Sequence, residues 1–220
     1  PAIVPSLEVA LADRKTGLKT LLSADDKGAR FAWGMLAPTL AYSADLVGEI
    51  ADTLVEVDAA MRFGYGWKFG PFELMDQLGT AGLAEQYKKR GLKVPKLVAL
   101  ADGRPFYRVE GGKLQYLTLK GDYADVKRSD GVLLLQDVKR ASKPLSKNGS
   151  ASLWDIGDGV ICLEFHSKAN ALDPDVMAMI GTAMTTIGDG KGKWKALVIA
   201  NDADNFSVGA NLGLIIFAIN

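Results

Sequence analysis

The sequence predicts a multidomain protein of the α+β class, and three patterns carry that prediction. Apolar residues recur near a 3.6-residue period in the first part of the chain, as on an amphipathic helix. Two runs with alternating aromatic or branched residues then flank a Gly-Gly pair. The pattern of the last part predicts a strand, a helix and a second strand. The 220 residues are therefore assigned to three segments: a helical bundle (1–95), a β-rich connector that contains a hairpin (96–150) and an α/β segment (151–220).

The helical segment is predicted from its periodicity and its caps. Residues 25–50 carry the helical repeat, and Pro38 is expected to kink or divide that helix because proline has no backbone N–H. Asp52 is expected to cap a following helix that runs through Met61.

A glycine-rich break at 62–71 separates that helix from the next one. Its glycines are expected to allow a sharp reversal, and Pro71 to begin a short helix that Gly79 ends. A further helix is expected over 81–90. The aromatic residues of this stretch are predicted to pack around the reversal: Phe63, Tyr65, Trp67, Phe69 and Phe72.

The connector and the last segment are predicted from alternation and turn residues. Residues 104–119 indicate a hairpin around Gly111-Gly112, while 132–140 fits either a strand or a helix. A tight hairpin is expected around 157–159.

The remainder of the last segment carries a helix and a second strand. Asp173 and Pro174 mark the helix start, and Gly188 marks its end. The strand 195–202 is nearly all apolar, which predicts burial on both faces and parallel pairing through a right-handed crossover.

Composition limits the possible functions. Twenty-six basic and 26 acidic residues cancel, so no global field favours nucleic acid. One cysteine and one histidine, Cys162 and His166, offer no ligand cluster for a metal, and Cys162 is expected to be a buried apolar residue. Neither a transmembrane stretch nor a signal peptide is present, which predicts a cytoplasmic location. The missing initiator Met and the apolar end suggest a piece of a longer protein.

Two turns carry the candidate chemistry of the last segment. The turn at 207–211, Ser-Val-Gly-Ala-Asn, resembles the oxyanion-hole turn of the enoyl-CoA hydratase/isomerase (crotonase) family. The resemblance implies that the backbone N–H of Ala210 is one of two donors to a thioester oxyanion, a catalytic role. The alternative is an ordinary strand-to-helix turn that needs glycine.

The other turn, 166–173, includes the Asn-Ala-Leu sequence found after the first strand of that family. The resemblance implies coenzyme A binding by Lys168 on a phosphate, and by backbone groups of Ala169 and Ala171. His166 has no catalytic counterpart in the family and is expected to be structural or exposed.

Residues 58–79 resemble the C-terminal helical domain of 3-hydroxyacyl-CoA dehydrogenases through their glycine-rich turn, Gly-Pro-Phe segment and later Asp–Gly spacing. Together the resemblances imply a multifunctional fatty-acid β-oxidation protein that hydrates 2-enoyl-CoA and oxidises 3-hydroxyacyl-CoA with NAD. Its fold would then be a dehydrogenase-like helical bundle, a β-rich connector and a truncated α/β crotonase-like domain. An acyl-CoA thioester is the implied substrate, and a homo-oligomer is a possible assembly.

The 220 residues alone are predicted to be inactive, because no GxGxxG unit for NAD is present. The catalytic carboxylates of the hydratase family also lie beyond the matching turns. Two alternatives stay open: a non-catalytic binding or interaction module, and a crotonase-family parent that is an isomerase or thioesterase.

Overall fold

The computed structural model describes residues 4–13, 16–188, 191–203 and 205–210. The chain divides into two units, the first made of 1–110 and 114–127 and the second of 111–113 and 128–220. The division into three segments stays a prediction. In the described part of the chain, no helix is long and apolar enough to span a membrane.

The first unit is mainly helical and carries a small sheet. Its helices are α1 (Pro5–Ala12), α2 (Gly17–Ser23), α3 (Lys27–Leu46), α4 (Leu54–Tyr65), α5 (Pro71–Leu78), α6 (Thr80–Lys89) and α7 (Lys96–Ala101). Its strands β1 (Tyr107–Glu110), β2 (Lys113–Leu117) and β3 (Tyr123–Asp125) lie in that order in the sheet. The predicted hairpin at Gly111-Gly112 is confirmed, since β1 and β2 are neighbours.

Helix α3 passes through Pro38 without division, so of the two predicted outcomes, a kink or a division, the division does not occur. The proline removes the hydrogen bond that would reach the carbonyl of Gly34, four residues earlier. Both Pro38 and Gly34 are exposed, so water can solvate the unpaired carbonyl. On the opposite side of the helix, Trp33 and Leu40 are buried in the core of the unit.

Helix α4 starts one residue later than predicted and runs further. Thr53, not Asp52, is the N-cap, and the Thr53 N–H donates to the Glu56 carboxylate at 2.9 Å as in a capping box. The helix continues past Met61 to Tyr65. It ends at Gly66, whose φ of 66° lies in the left-handed region.

Not all the aromatic residues of the glycine-rich break are buried as predicted. Phe72 is fully buried and stacks edge-to-face on Phe106, with ring centroids 5.1 Å apart. Phe63 and Tyr65 are instead exposed, because the last turn of α4 carries their side chains away from the core. Phe69 is exposed as well, so the prediction that all the aromatics pack around the reversal was wrong for these three residues.

The second unit contains a four-stranded sheet with helices on its faces. The strands are β4 (Ser146–Lys147), β5 (Ala151–Gly157), β6 (Val160–Phe165) and β7 (Ala196–Ile199), in that order. The helices are α8 (Leu135–Ala141) and α9 (Pro174–Ile187), with a 3₁₀ turn at Lys168–Asn170. Residues 132–140, for which the sequence fitted either a strand or a helix, thus contribute to a helix.

Alternation along β6 places its residues as predicted. Ile161, Leu163 and Phe165 pack with α9 in one core. On the other face, Cys162 is buried beside Trp154 and Leu135. The Glu164 carboxylate is also buried on that face, where it accepts from Trp154 Nε1 at 3.0 Å and pairs with Lys139.

The helix α9 and the parallel pairing of the strand β7 agree with the prediction. The Asp173 carboxylate accepts the Val176 N–H at 2.9 Å, which confirms the N-cap, and β7 pairs parallel to β6. The expected burial of β7 on both faces is wrong in the described structure, because Val198 and Ile199 are each 43% exposed. Among the residues that the structure describes, the strand lies at the edge of the sheet and only one neighbouring strand covers it.

Candidate functional site

The candidate site lies where two parallel strands end. We call residues 167–172 the β6 turn and residues 205–210 the β7 turn, since each lies C-terminal to that strand. Because β6 and β7 are parallel, their carboxyl ends lie at the same edge of the sheet, where ligands of α/β proteins commonly bind.

Three hydrogen bonds join the two turns directly. The Leu172 N–H donates to the Gly209 carbonyl at 2.8 Å. The Asn170 side-chain amide donates to the Asn205 carbonyl at 2.8 Å, and the Ser207 hydroxyl donates to the Asn170 carbonyl at 2.7 Å. Leu172 and Ala210 also form a parallel β-bridge. The structure thus brings together the two turns that the sequence singled out.

The β6 turn has an unusual backbone. Ala169 and Asn170 have φ values of 54° and 53°, so two consecutive non-glycine residues are left-handed. Asparagine tolerates this region better than other residues, but alanine there is uncommon and costs free energy. Such a conformation persists only where its surroundings hold it, and the Asn170 hydrogen bonds to the β7 turn do so.

The β7 turn presents Ala210, the predicted oxyanion donor. Gly209 has a φ of 85°, and its N–H donates to the Ser207 hydroxyl at 3.0 Å. Ala210 itself is exposed, and its N–H donates to no other residue in the described part of the chain. Asn211 and Gly213, which the sequence also singled out in this turn, lie outside the described residues.

The predicted coenzyme A contacts all lie on the β6 turn. Lys168 and Ala169 are exposed. Ala171 is half-buried, its N–H donates to the Lys168 carbonyl at 3.2 Å, and its carbonyl accepts from the Ser167 hydroxyl at 2.7 Å. Of the three positions, Lys168 thus presents a charged group to solvent, whereas both backbone groups of Ala171 already have partners.

His166 precedes the β6 turn and has a structural contact. The ring is on an exposed residue, and its Nε2 lies 2.8 Å from the hydroxyl of the buried Ser152. Among the described residues, no group of three His, Cys, Asp or Glu side chains is placed to hold a metal ion.

Sequence reasoning did not assign roles to Asn170 and Ser207, which connect the turns. Asn170 is 3% exposed although its side chain is polar. A signal was present, because Asn is one of the few residues suited to positive φ, and Ser207 begins the glycine-containing turn. What the sequence did not indicate is that each residue contacts the other turn.

The first unit contains a buried carboxylate, Asp58, at the start of α5 and separate from these turns. Asp58, from α4, accepts the N–H groups of Phe72 at 2.8 Å and Glu73 at 3.2 Å, so it caps α5 from outside that helix. The Tyr107 hydroxyl is a further hydrogen-bond partner, and burial raises the pKa of Asp58 from 3.8 to about 7.

Asp76, near the end of α5, has a comparable role. Its carboxylate accepts the backbone N–H groups of Phe106 at 2.6 Å and Tyr107 at 2.7 Å, and so connects α5 to β1. Burial raises the pKa of Asp76 to about 6. Since backbone donors occupy both carboxylates, we assign them to the fold of the helical unit rather than to catalysis.

Comparison with known proteins gives matches in both parts of the chain. Residues 31–99 match the family model described as 3-hydroxyacyl-CoA dehydrogenase, C-terminal domain. A probable 3-hydroxyacyl-CoA dehydrogenase of Bacillus subtilis (strain 168) is 38% identical over 220 residues, covering 98% of this chain and 27% of the relative.

Two rickettsial relatives carry the name putative fatty acid oxidation complex trifunctional enzyme. The protein from Rickettsia felis is 26% identical over 200 residues, and the one from Rickettsia prowazekii is 23% identical over 202 residues. Each match covers 90% of this chain and 25% of the relative, and no solved structure matches. The chain thus spans about a quarter of these relatives. Its helical part is similar to the C-terminal domain of 3-hydroxyacyl-CoA dehydrogenases, and its homologues are dehydrogenases and fatty acid oxidation enzymes of that kind.

Proposed function

We propose that this chain is part of a bifunctional 3-hydroxyacyl-CoA dehydrogenase and enoyl-CoA hydratase of fatty-acid β-oxidation. In that protein the β6 and β7 turns form one side of a crotonase-type hydratase site. The single observation that carries the proposal is the joining of these turns by Asn170, Ser207 and Leu172, next to an Ala210 N–H that donates to no residue in the described ranges.

The proposed chemistry of the site is the stabilisation of negative charge. Addition of water to a 2-enoyl-CoA develops charge on the thioester oxygen, and a fixed N–H lowers the free energy of that oxyanion without reorganisation. Gly209 and the bonded turn hold residue 210 in place, and Lys168 offers a charge to a phosphate of coenzyme A.

The exposed edge of the second unit supports the same proposal. Val198 and Ile199 of β7 are apolar side chains in solvent. A hydratase domain with further elements beside β7 would cover them, and apolar surface of this kind marks a contact site.

NAD and the acyl-CoA substrate belong to the proposed parent protein. The 220 residues alone are proposed to catalyse neither step, because their sequence has no GxGxxG unit and one N–H donor without an acid or base is not a complete site. A cytoplasmic location also stays a prediction.

Assays on the parent protein test the reaction. We expect hydration of crotonyl-CoA and NAD-dependent oxidation of 3-hydroxybutyryl-CoA. Ala210→Pro removes the proposed donor and should lower the hydratase rate about 10²–10³-fold, whereas Ala210→Gly keeps the N–H and should retain most of it. Turnover of neither substrate would contradict the bifunctional proposal, and equal rates for the two variants would contradict the role of residue 210.

Binding to the chain itself tests the site without catalysis. Titration of crotonyl-CoA by calorimetry should show binding that Lys168→Glu weakens about tenfold, because charge reversal opposes the coenzyme phosphates. Lys195→Glu is the matched control, since Lys195 is exposed at the opposite end of β7. Equal losses in both variants would indicate non-specific attraction and count against a site at Lys168.

Two other functions remain as outcomes of these experiments. Activity on a different acyl-CoA would indicate an isomerase or a thioesterase on the same turns, because the reaction depends on groups outside this chain. Absence of acyl-CoA binding in the chain and the parent would favour a binding or interaction module.

A further inference from the structure

The reversal between α6 and α7 carries a concentration of positive charge that the proposed function does not use. Residues 88–96, Lys-Lys-Arg-Gly-Leu-Lys-Val-Pro-Lys, hold five basic residues in nine positions, and we call this segment the basic loop. Between Glu85 and Asp102 the sequence has no acidic residue. Because the charges of the whole chain cancel, the basic loop is a local positive surface on a neutral protein.

The lysines of the basic loop are placed to meet an external partner. All four are exposed, and within the described residues none of them forms a salt bridge: Lys88, Lys89, Lys93 and Lys96. Lys88 and Lys89 lie in the last turn of α6, where a cation interacts favourably with the helix dipole. Lys96 is the first residue of α7, where a cation is unfavourable, so the fold does not account for its charge.

The basic loop has a fixed backbone that turns a leucine towards solvent. The Leu92 N–H donates to the Tyr87 carbonyl at 2.9 Å, and the Gly91 N–H donates to the Lys88 carbonyl at 3.0 Å. Gly91 has a φ of 67°, in the left-handed region that commonly ends a helix. Tyr87 and Pro95 are buried on either side of the reversal, whereas Leu92 is 40% exposed between them.

Arg90, the fifth basic residue, anchors the loop to the helical core. Its guanidinium lies over the ring of the buried Trp33, 4.6 Å from the centroid, and donates to the Gln86 carbonyl at 3.3 Å. The lysines therefore extend from a backbone that is already held in place. Because little of that backbone has to be ordered on binding, a partner would lose less free energy to conformational entropy.

An exposed leucine among exposed lysines favours the surface of an anionic lipid membrane as the partner. Ammonium groups attract lipid phosphates, and an apolar side chain gains free energy at the boundary between head groups and acyl chains. A single-stranded nucleic acid would instead be bound through exposed aromatic rings that stack on bases. Tyr87, the one aromatic residue of 86–101, is buried, so the loop offers no such ring.

We propose that the basic loop binds the surface of anionic lipid membranes, with its four lysines on lipid phosphates and Leu92 at the boundary with the acyl chains. The association is peripheral and reversible, since it depends on a few charges and one apolar side chain. The hydratase-type turns and the buried Asp58 take no part, so this inference does not depend on the proposed function.

Co-sedimentation with vesicles tests the electrostatic part of the proposal. We expect the 220-residue chain to bind vesicles that contain phosphatidylglycerol, to ignore vesicles of phosphatidylcholine alone, and to dissociate as the salt concentration rises. Lys93→Gln combined with Lys96→Gln should lower the partition coefficient about 25-fold, because each lysine near such a surface contributes about a factor of five. A chain that binds neither kind of vesicle would overturn the proposal.

A second pair of lysines provides the matched control. Lys143→Gln combined with Lys147→Gln changes the net charge by the same amount, and both residues are exposed in the second unit. This control variant should bind the anionic vesicles as the wild type does. Equal losses in the two double variants would show that attraction is spread over the whole protein, which would overturn a site at the basic loop.

The apolar contact is tested separately. Leu92→Ser should weaken binding to the anionic vesicles about fivefold, at low and at high salt, because it removes an apolar side chain and no charge. Leu145→Ser is the control, since Leu145 is 46% exposed between Lys143 and Lys147 and should be without effect. Vesicle binding that Leu92→Ser leaves unchanged, or tighter binding to a single-stranded RNA oligonucleotide than to vesicles, would overturn the lipid proposal.

Discussion

Gly70 lies directly against Asp58: a Cβ on residue 70 would stand 2.3 Å from both the Cβ and the Cγ of the aspartate. The Gly70 φ of −69° is open to any residue, so the glycine is required by close approach and not by backbone conformation. This contact lets Asp58 reach the N–H groups of Phe72 and Glu73. The glycine before the Pro-Phe pair is thus explained by a carboxylate twelve residues earlier in the chain.

Gly70→Ala should strongly destabilise the helical unit. The added methyl group displaces Asp58 from the start of α5 and leaves backbone N–H groups without their acceptor, at a cost of roughly 3 kcal/mol in the free energy of unfolding. Chemical denaturation followed by far-UV circular dichroism measures this loss in the free energy of unfolding. The control is Gly82→Ala, in α6, where a Cβ meets nothing within 4 Å and stability should rise by up to about 1 kcal/mol. Similar changes for both glycines would refute the steric explanation.

Asp58 should make the stability of the chain depend on pH in an unusual direction. Its pKa is about 7 in the fold against 3.8 ordinarily, so between these values the folded state holds a proton that the unfolded chain has released. The contribution of this carboxyl is therefore complete below pH 4 and is lost as the pH rises towards 7. Glu73 raises the same pKa, whereas the Phe72 N–H and the Tyr107 hydroxyl lower it.

Asp58→Asn isolates this effect. The amide oxygen can still accept the Phe72 N–H, but the side chain no longer titrates. We expect wild type to lose stability relative to the variant as the pH increases from 4 to 7, measured by urea denaturation at each pH. Asp76 is present in both proteins, so its titration cancels in the difference. A stability difference that does not change with pH would show that Asp58 titrates normally.

Asn170 should stabilise the joined turns through two separable effects. Asn170→Gly keeps the positive φ and removes the amide that donates to Asn205, which should cost about 1–2 kcal/mol in the second unit. Asn170→Ala removes the same hydrogen bond and adds about 1 kcal/mol of left-handed strain. Thermal unfolding of the two variants checks whether Asn170→Ala is the less stable one. If the Asn170→Ala variant is as stable as the Asn170→Gly variant, the positive φ of residue 170 does not contribute to stability.

Local patterns predicted most secondary structure and the location of the candidate turns. The cap at Asp173 and Pro174 and the glycines that end helices act within a few residues, so sequence alone reveals them. The resemblance of the glycine-rich segment likewise agrees with the family match over 31–99. The predictions failed where neighbours distant in sequence decide the outcome. Phe63 and Tyr65 were expected in a core, but α4 continues and exposes them.

The sequence by itself therefore determined the helical and β-rich parts, the alternation along β6, and Ala210 and Lys168 as residues on glycine-containing or small-residue turns. Tertiary structure alone decided that Asn170 and Ser207 connect the two turns, that Asp58 caps a helix to which it does not belong, and that Gly70 makes room for it. The physical reason is range. Backbone preferences and periodicity act between near neighbours in the chain, whereas hydrogen bonds and steric contacts across 12 to 37 residues arise only when the packed core brings those residues together.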